Sequence, residues 1–248
     1  MTGRVAVVTG GASGIGLGIA RQLAADGHRV AVLDRNGQGA TGAAAALSTE
    51  GATAVAVEVD VADRASVDTA FAEVRSSLGP ITTLVTSAGI ESFTPLVDIT
   101  AESWDRTIAV NLTGTFTCVQ AAVPDMLEAG WGRIVTIASS SAQSGAAKMT
   151  HYAASKGGVI ALTKSLAVEL ARNGITANSI SPSLVDTPMA RAAEAAGEFV
   201  GVDKVARHVP VGRAGTPDDI AAACSYLCSD AASYITGQVL GVNGGMYL

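Results

Sequence analysis

The chain has 248 residues, of which 48% are hydrophobic and 15% are charged, and its formal net charge is −6. Disordered chains combine low hydrophobicity with high net charge, so this composition predicts a folded core. The 28 glycines follow no three-residue period, which excludes a collagen-like fibre. The negative charge and the scattered Lys and Arg residues disfavour nucleic acid or an anionic membrane as a partner, because both reward clustered positive charge.

From the sequence we expect neither a secretory signal nor a membrane-spanning segment. Residues 1–4 lead directly into a strand-like run, and the longest uncharged stretch, 107–124, is interrupted by polar residues. The three cysteines, Cys118, Cys224 and Cys228, form an odd and sparse set that is typical of reduced thiols. We expect them to be buried small side chains rather than metal ligands, and we expect a cytoplasmic protein without a metal.

Short β-branched runs alternate with longer Ala-rich stretches along the chain. The runs lack strict alternation of apolar and polar residues, which is typical of strands that are buried on both faces. Repeated strand–helix units predict a parallel sheet, because right-handed crossovers place helices on both of its faces. The predicted strands are 4–9, 29–33, 53–57, 82–86, 133–138 and 176–181, and the predicted helices are 14–26, 39–50, 64–77, 102–129 and 151–172.

No linker and no change of composition divides the chain into two cores. The sequence therefore predicts an α/β fold in one domain, residues 1–248, with a single doubly wound parallel sheet. Residues 188–215 interrupt the strand–helix rhythm after the last predicted strand. We expect this segment to form a short lid near the strand ends.

A glycine-rich turn joins the first predicted strand to the first predicted helix. Residues 9–16 read TGGASGIG. Glycines allow a tight turn and a close approach of the backbone to a ligand, and a helix N-terminus favours negative charge. Glycine spacing alone is a weak signal, but its position between a strand and a helix predicts a pyrophosphate site. No P-loop lysine follows, so ATP is not implied.

An acidic residue, Asp34, follows 18 positions after Gly16, at the end of the second predicted strand. A carboxylate there is suited to accept hydrogen bonds from an adenosine ribose and to repel a 2′-phosphate, which favours NAD over NADP. Arg35 is suited to pair with such a phosphate, and a solvated Asp–Arg pair is the alternative without a ligand. We expect NAD to be the cofactor.

Two side chains of the last predicted helix, Tyr152 and Lys156, are four residues apart and therefore share one face. The ordinary pKa of a phenol is about 10, which is too high for proton transfer near neutral pH. The ammonium group and a positively charged nicotinamide would both lower that pKa. Ser139, just after a buried strand, has a hydroxyl that could hold a substrate oxygen. Alone, a Tyr-x-x-x-Lys pair is mostly a coincidence or part of a solvated helix face, and its value depends on its partners.

Taken together, these motifs resemble those of the short-chain dehydrogenase/reductase family along essentially the whole chain. The resemblance rests on the shared order and spacing of motifs that are each modest alone. It implies a Rossmann fold, an alcohol or ketone substrate, and a homo-oligomer, commonly a tetramer. The matching positions are Thr9-Gly10-x-x-x-Gly14-x-Gly16, Asp60-Val61, Ala88-Gly89, Asn111, Ser139, Tyr152-x-x-x-Lys156, Pro182, Thr187 and Val242-Asn243-Gly244-Gly245.

The resemblance also implies a role for each matched position. Tyr152 would be the general acid/base, Lys156 would lower its pKa, and Ser139 would bind the substrate oxygen. Asn111 would anchor a water that relays protons through Lys156. The implied cofactor-binding residues are Gly10, Ser13, Gly14, Ile15 and Gly16 at the pyrophosphate, Asp34 at the adenosine ribose, Asp60 and Val61 at the adenine, Ala88 and Gly89 in the cleft, and Tyr152, Lys156, Pro182, Val185 and Thr187 around the nicotinamide and its ribose.

Several positions near these motifs have an open role. Ser87 and Ser183 depart from the Asn and Gly of the family pattern, and we expect effects on sheet stability and on the substrate rim respectively. Glu91 either contacts a polar substrate or is a solvated loop carboxylate. His151 differs in direction from Tyr152, so we expect a structural or surface role.

Three functions fit the sequence to different degrees. The leading interpretation is an NAD(H)-dependent oxidoreductase for a secondary alcohol/ketone pair. The alternative is an NADPH-dependent reductase of a 3-oxoacyl thioester of acyl-carrier protein or CoA, which Asp34 disfavours. A non-catalytic nucleotide-binding regulator belongs to another class, since a fold does not fix a function. The complete Ser139, Tyr152 and Lys156 set disfavours the regulator.

Overall fold

Seven parallel strands form the centre of the structure, a computed structural model that describes residues 3–248. Their order in the sheet is β3-β2-β1-β4-β5-β6-β7. The direction of winding reverses between β1 and β4, so a crevice forms at the carboxyl ends of these strands. The predicted doubly wound α/β fold is confirmed. The strands are β1 (Val5–Thr9), β2 (Arg29–Asp34), β3 (Ala54–Glu58), β4 (Ile81–Thr86), β5 (Gly132–Ile137), β6 (Ile175–Pro182) and β7 (Val239–Val242).

Helices cover both faces of this sheet and also follow its last long strand. Short 3-10 turns occupy Leu96–Asp98, Ala171–Asn173 and Asp230–Ala232, and a π-helical turn occupies Ala109–Thr113. The α-helices are α1 (Gly14–Ala25), α2 (Gly37–Thr49), α3 (Arg64–Leu78), α4 (Ala101–Ile108), α5 (Gly114–Ala129), α6 (Ser141–Ser144), α7 (Thr150–Leu170), α8 (Pro188–Ala195), α9 (Val202–Ala206) and α10 (Pro217–Cys228).

Each face of the sheet has its own hydrophobic core. Phe71 and Met126 pack on one face with inward side chains of the strands, including Leu84. Leu23 and Ile220 pack on the other face. This burial on both faces explains why the strand sequences are continuously apolar. The three cysteines are buried and free, as predicted. No helix within residues 3–248 is long and apolar enough to cross a membrane.

The predicted helix 102–129 is helical over its whole length, but a π-helical turn divides it into two α-helices. Helix α4 ends at Ile108, a π-helical turn follows, and α5 begins at Gly114. The interruption coincides with tertiary contacts: the Asn111 side chain bonds the backbone of Ile90, and a Cβ at Gly114 would lie 2.8 Å from Val61. Such wide turns occur mostly at functional sites. Helix α10 and strand β7 were absent from the predicted elements.

Two short helices, α8 and α9, lie in the segment 188–215. Thr187 caps α8 by accepting a hydrogen bond from the Ala190 N–H. Arg191 pairs with Asp186 at 2.7 Å and also contacts Glu194 and Asp203. The segment is therefore tied by charge to the loop after β6.

Candidate active site

A cavity of about 570 Å³ lies at the carboxyl ends of the strands. It extends from the residues after β3, past β1 and β4, to the segment that contains α8 and α9. All predicted site residues line it except Asn111, which lies behind the wall. The lining residues among those predicted are Gly10, Ser13, Gly14, Ile15, Gly16, Asp34, Asp60, Val61, Ala88, Gly89, Ser139, Tyr152, Lys156, Pro182, Val185 and Thr187.

The glycine-rich turn leaves no room for side chains at two of its positions. Gly10 has φ +68°, and a Cβ there would lie 2.8 Å from the backbone N and Cα of Ala88. A Cβ at Gly16 would lie 2.1 Å from the Gly10 carbonyl oxygen. Helix α1 begins here without an acidic residue in its first turn and without a side-chain cap from Ser13. Its N-terminus therefore fits a pyrophosphate group.

The Asp34 carboxylate is held in a fixed position at the end of β2. One oxygen accepts the Ala12 N–H at 3.1 Å and the other accepts the Asn36 N–H at 2.9 Å. Each oxygen retains acceptor capacity toward the cavity, so the carboxylate fits the hydroxyls of a ribose. Arg35 is exposed and also lines the cavity.

Asp60 lies at the same end of the cavity, two residues after β3. It accepts the Ala62 N–H at 2.9 Å and lies 3.8 Å from an Arg106 guanidinium nitrogen. Arg106 also lines the cavity, and sequence reasoning missed it. No pattern in the sequence connects this residue of α4 with the end of β3.

The reacting end of the cavity contains Ser139, Tyr152 and Lys156. The Ser139 hydroxyl lies 2.8 Å from the Ser141 hydroxyl and accepts the Ser141 N–H at 3.2 Å. Lys156 is buried, donates a hydrogen bond to the Ile137 carbonyl at 2.8 Å, and has its Nζ 5.8 Å from the centre of the Tyr152 ring. The Ser139 hydroxyl and the Lys156 ammonium thus share the reacting end of the cavity with the Tyr152 phenol.

Asn111 supports this end of the cavity from behind. Its side chain accepts the Ile90 N–H and donates to the Ile90 carbonyl, both at 2.9 Å, and it also donates to the Ser155 hydroxyl at 3.0 Å. A Cβ at Gly89 would lie 3.3 Å from the Asn111 Oδ1 and 3.4 Å from the Lys156 Nζ, so this glycine lies next to both groups.

Burial controls the protonation of both catalytic candidates. It raises the pKa of Tyr152 well above its ordinary range, with a further rise from Glu91 and a smaller lowering by the Ser139 hydroxyl. Burial also lowers the pKa of Lys156 to about 8, while Glu91 acts in the opposite direction. Desolvation of the phenolate is the largest influence on the pKa of Tyr152 in the protein alone, and the lowering of that pKa by Lys156 and a bound nicotinamide stays a prediction.

The residues with open roles are placed as follows. Glu91 is half-buried in the cavity wall, and burial raises its pKa, so it is not a fully solvated carboxylate. His151 is buried and its Nε2 lies 2.6 Å from the Ser92 hydroxyl, which is a structural contact. Ser183 donates its hydroxyl to the Asn243 carbonyl at 2.9 Å and thereby ties the end of β6 to the C-terminal segment. Ser87 lines the cavity.

The end of the cavity opposite the glycine-rich turn is largely apolar. The rings of Phe93 and Phe199 stack with their centres 5.9 Å apart. Met149, Met189 and Met246 contribute further wall. The sequence did not single out Phe199, because it belongs to no local motif and only the tertiary fold brings it to Phe93. In residues 3–248, no group of three or more His, Cys, Asp and Glu side chains could hold a metal ion.

A comparison with known proteins agrees with this architecture. A family model described as enoyl-(acyl carrier protein) reductase matches residues 10–247. D-threitol dehydrogenase of Mycolicibacterium smegmatis is 41% identical over 245 residues, which cover 99% of this chain and 93% of that protein. The 3-oxoacyl-(acyl-carrier-protein) reductase MabA of Mycobacterium tuberculosis is 41% identical over 243 residues, covering 98% and 92% respectively.

A solved structure shows the same fold at similar identity. The crystal structure of a variant of actinorhodin polyketide ketoreductase with NADPH superposes with a TM-score of 0.95 at 36% identity, over 99% of both chains. A dinucleotide-type fold with Ser, Tyr and Lys at one cavity defines a nucleotide-dependent oxidoreductase of alcohols or ketones. The chain belongs to the short-chain dehydrogenase/reductase family.

Proposed function

We propose that the protein is an NAD(H)-dependent oxidoreductase that interconverts a secondary alcohol and its ketone. The observation that carries the proposal is the placement of Ser139, Tyr152 and Lys156 in one cavity with the glycine-rich turn. Enzymes that use a nicotinamide contribute mainly orientation and charge placement, because the cofactor supplies the redox chemistry.

NAD is the proposed cofactor, and the residues present fit it. The uncapped N-terminus of α1 suits the pyrophosphate, and the fixed Asp34 carboxylate suits the two hydroxyls of an adenosine ribose. Thr187 keeps its hydroxyl proton free to donate to a carboxamide, because the capping bond at α8 uses only its oxygen as an acceptor. When bound, the oxidised nicotinamide accepts a hydride from the carbinol carbon.

Tyr152 is the proposed general acid/base. In the oxidative direction, its phenolate takes the proton of the substrate hydroxyl while Ser139 holds the same oxygen by a hydrogen bond. Lys156 places a positive charge beside the phenolate and favours it. Asn111 is a proposed anchor for a proton relay through Lys156; its side chain lies next to Gly89 and Lys156 in the structure.

A second candidate is an NADPH-dependent reductase of a 3-oxoacyl thioester. The support for it is the 41% identity with MabA over nearly the whole chain and the exposed Arg35 beside Asp34. Against it stands the Asp34 carboxylate, which repels a 2′-phosphate.

The activity test compares 2-butanol, a polyol such as D-threitol and a 3-oxoacyl thioester with each nicotinamide cofactor. We expect turnover of secondary alcohols with NAD+. Turnover confined to the thioester with NADPH would contradict the leading proposal and support the second candidate.

The domain and assembly proposals follow from the same fold. We propose one domain over residues 1–248, with 188–215 as a lid over the substrate end, and a homotetramer. The exposed apolar side chains Phe116 and Leu127 on α5 and Val168 on α7 support the assembly. Light scattering during size-exclusion chromatography tests it, and a monomeric mass would contradict it.

A further inference from the structure

One carboxylate, that of Glu91, lines the reacting end of the cavity. Glu91 follows the Ala88-Gly89 turn after β4 and shares the cavity with Ser139 and Tyr152. The other two carboxylates of the described cavity wall, Asp34 and Asp60, belong to the cofactor end. A substrate that is held by Ser139 and Tyr152 therefore lies in the same space as Glu91.

The Glu91 carboxylate has no hydrogen-bond partner among residues 3–248, although it is half-buried. Burial raises its pKa, and Lys156 offsets part of that rise. Because Glu91 lines the open cavity, a hydroxyl of a bound molecule can replace water as the donor to its oxygens. The structure therefore presents an acceptor that a donor on a bound molecule can satisfy.

The segment that carries Glu91 is fixed relative to Tyr152. Ser92 bonds the buried His151, which directly precedes Tyr152 in α7, at 2.6 Å. The Thr94 N–H donates to the Lys148 carbonyl at 2.7 Å, which ties the segment to the loop before α7. Because the segment is already fixed, only the Glu91 side chain loses conformational entropy when the substrate arrives.

We propose that Glu91 accepts a hydrogen bond from a second hydroxyl group of the substrate, close to the reacting carbinol, and so selects diols and polyols over simple secondary alcohols. This inference rests on the proposed oxidoreductase function. An ammonium group is disfavoured as the donor, because Lys156 and an oxidised nicotinamide already place positive charge around the reacting carbon. The stacked Phe93 and Phe199 rings leave an apolar wall for the remainder of a small substrate.

The test compares three alcohols with the same carbon skeleton, namely 2-butanol, 2,3-butanediol and 3-amino-2-butanol, with NAD+ and NADP+. The wild-type protein is expected to show a kcat/KM for the diol at least about tenfold above that for 2-butanol, which corresponds to about 1.4 kcal/mol. The amino alcohol is expected to be the poorer of the two bifunctional substrates. Reduction of acetoin and 2-butanone gives the same comparison in the other direction.

Two substitutions separate the hydrogen bond from the charge. Glu91→Leu removes the acceptor and is expected to bring the diol/2-butanol ratio close to one. Glu91→Gln keeps a carbonyl acceptor and is expected to retain part of the preference. The ratio of kcat/KM for the diol to that for 2-butanol is the useful quantity, because an effect on the Tyr152 pKa changes the turnover of both substrates alike.

Glu198→Gln is the matched control. This exposed carboxylate influences Glu91 by charge but does not line the cavity, so the ratio is expected to stay at the wild-type value.

The outcomes distinguish this inference from the proposed function. Equal kcat/KM for 2-butanol and the diol, or a Glu91→Leu variant that keeps the wild-type ratio, overturns the role of Glu91 and leaves the oxidoreductase proposal intact. A preference for the amino alcohol overturns the choice of hydroxyl as the donor. A protein that turns over none of these alcohols and ketones with either cofactor overturns both proposals.

Discussion

The two ends of the cavity are built in different ways. At the cofactor end, backbone geometry dominates: Gly10 and Gly16 lie too close to neighbouring backbone for any side chain, and Asp34 is fixed by two backbone N–H groups. At the substrate end, side chains from separate segments form the wall, including Phe93 and Phe199. We infer that the cofactor end is rigid and intolerant of change, while the substrate end can vary without loss of the chemistry.

The largest expected effect lies where the two ends meet. Replacing Tyr152 by Phe removes the proposed acid/base and keeps the ring, so kcat is expected to fall by about 10²–10⁴-fold. Cofactor affinity is expected to change by less than about threefold, because the ring remains in place. Steady-state kinetics and a fluorescence titration with NADH measure the two quantities. Turnover at the wild-type rate would remove Tyr152 from the mechanism.

The protonation of Tyr152 also predicts a pH dependence. Because burial raises the pKa of this phenol, it is mostly protonated near neutral pH, and the phenolate fraction grows as the pH rises. The kcat/KM for alcohol oxidation is therefore expected to increase between about pH 6 and about pH 9, by up to about tenfold per unit. Reduction needs the protonated phenol and is expected to show no such increase. An oxidation rate that falls over this range would contradict the assignment.

A pair of glycine substitutions tests the rigidity of the cofactor end. Gly16→Ala places a Cβ 2.1 Å from the Gly10 carbonyl oxygen, so the turn must shift. We expect the Kd for NADH to rise by at least about tenfold, a loss of about 1.4 kcal/mol. Gly42→Ala, in α2, has no atom within 4 Å of the added Cβ and is the matched control. It is expected to stabilise the fold by about 0.5–1 kcal/mol, measured by denaturant unfolding. Equal NADH affinity in both variants would show that the turn is not the cofactor site.

The preference for NAD+ over NADP+ is expected to depend on the negative charge of Asp34 at the cofactor end of the cavity. Asp34→Asn keeps an oxygen acceptor but removes the repulsion of a 2′-phosphate. The ratio of kcat/KM for NADP+ to that for NAD+ is expected to rise by about tenfold. Asp68→Asn, which changes an exposed carboxylate on α3, is expected to leave the ratio unchanged. A wild-type preference for NADP+ would contradict the assigned role of Asp34.

The smallest expected effect concerns the lid at the substrate end. Arg191→Ala removes the pairs with Asp186, Glu194 and Asp203, which are exposed enough for solvent to screen them. The substrate KM is expected to rise by about twofold to fivefold, with little change in the Kd for NADH. Arg64→Ala, which breaks an exposed pair on α3, is the control. A change in the Kd for NADH without a change in the substrate KM would contradict the assignment of this segment to the substrate end.

The cofactor end was largely predictable from the sequence because local motifs define it. Glycines beside a strand, an acid at the end of the next strand, and Tyr and Lys four residues apart in a helix are all short-range patterns. The six predicted strands were found with their ends within one residue of the observed ones.

The substrate end was less predictable, because its contacts join residues that are distant in the chain. Phe199, which lies between α8 and α9, stacks on Phe93 from a distant part of the chain. At the cofactor end, one long-range contact was equally hidden, because Arg106 reaches Asp60 from α4. The π-helical turn at Asn111 arises where tertiary bonds interrupt a helical pattern, which no periodicity can indicate. The raised pKa of Tyr152 depends on burial, which the sequence pair Tyr152 and Lys156 does not reveal.

The proposed hydride transfer, and the role of Tyr152 in it, is tested most directly with a deuterium-labelled substrate. The protein is incubated with NAD+ and 2,3-butanediol deuterated at both carbinol carbons, and the deuterium content of the nicotinamide C4 is measured by NMR for the wild type and for Tyr152→Phe. We expect deuterium at C4 with the wild type, and we expect deuterium transfer by the Tyr152→Phe variant to be at least about a hundredfold slower. Equal transfer by both proteins, or NADH formed without the label, would contradict it.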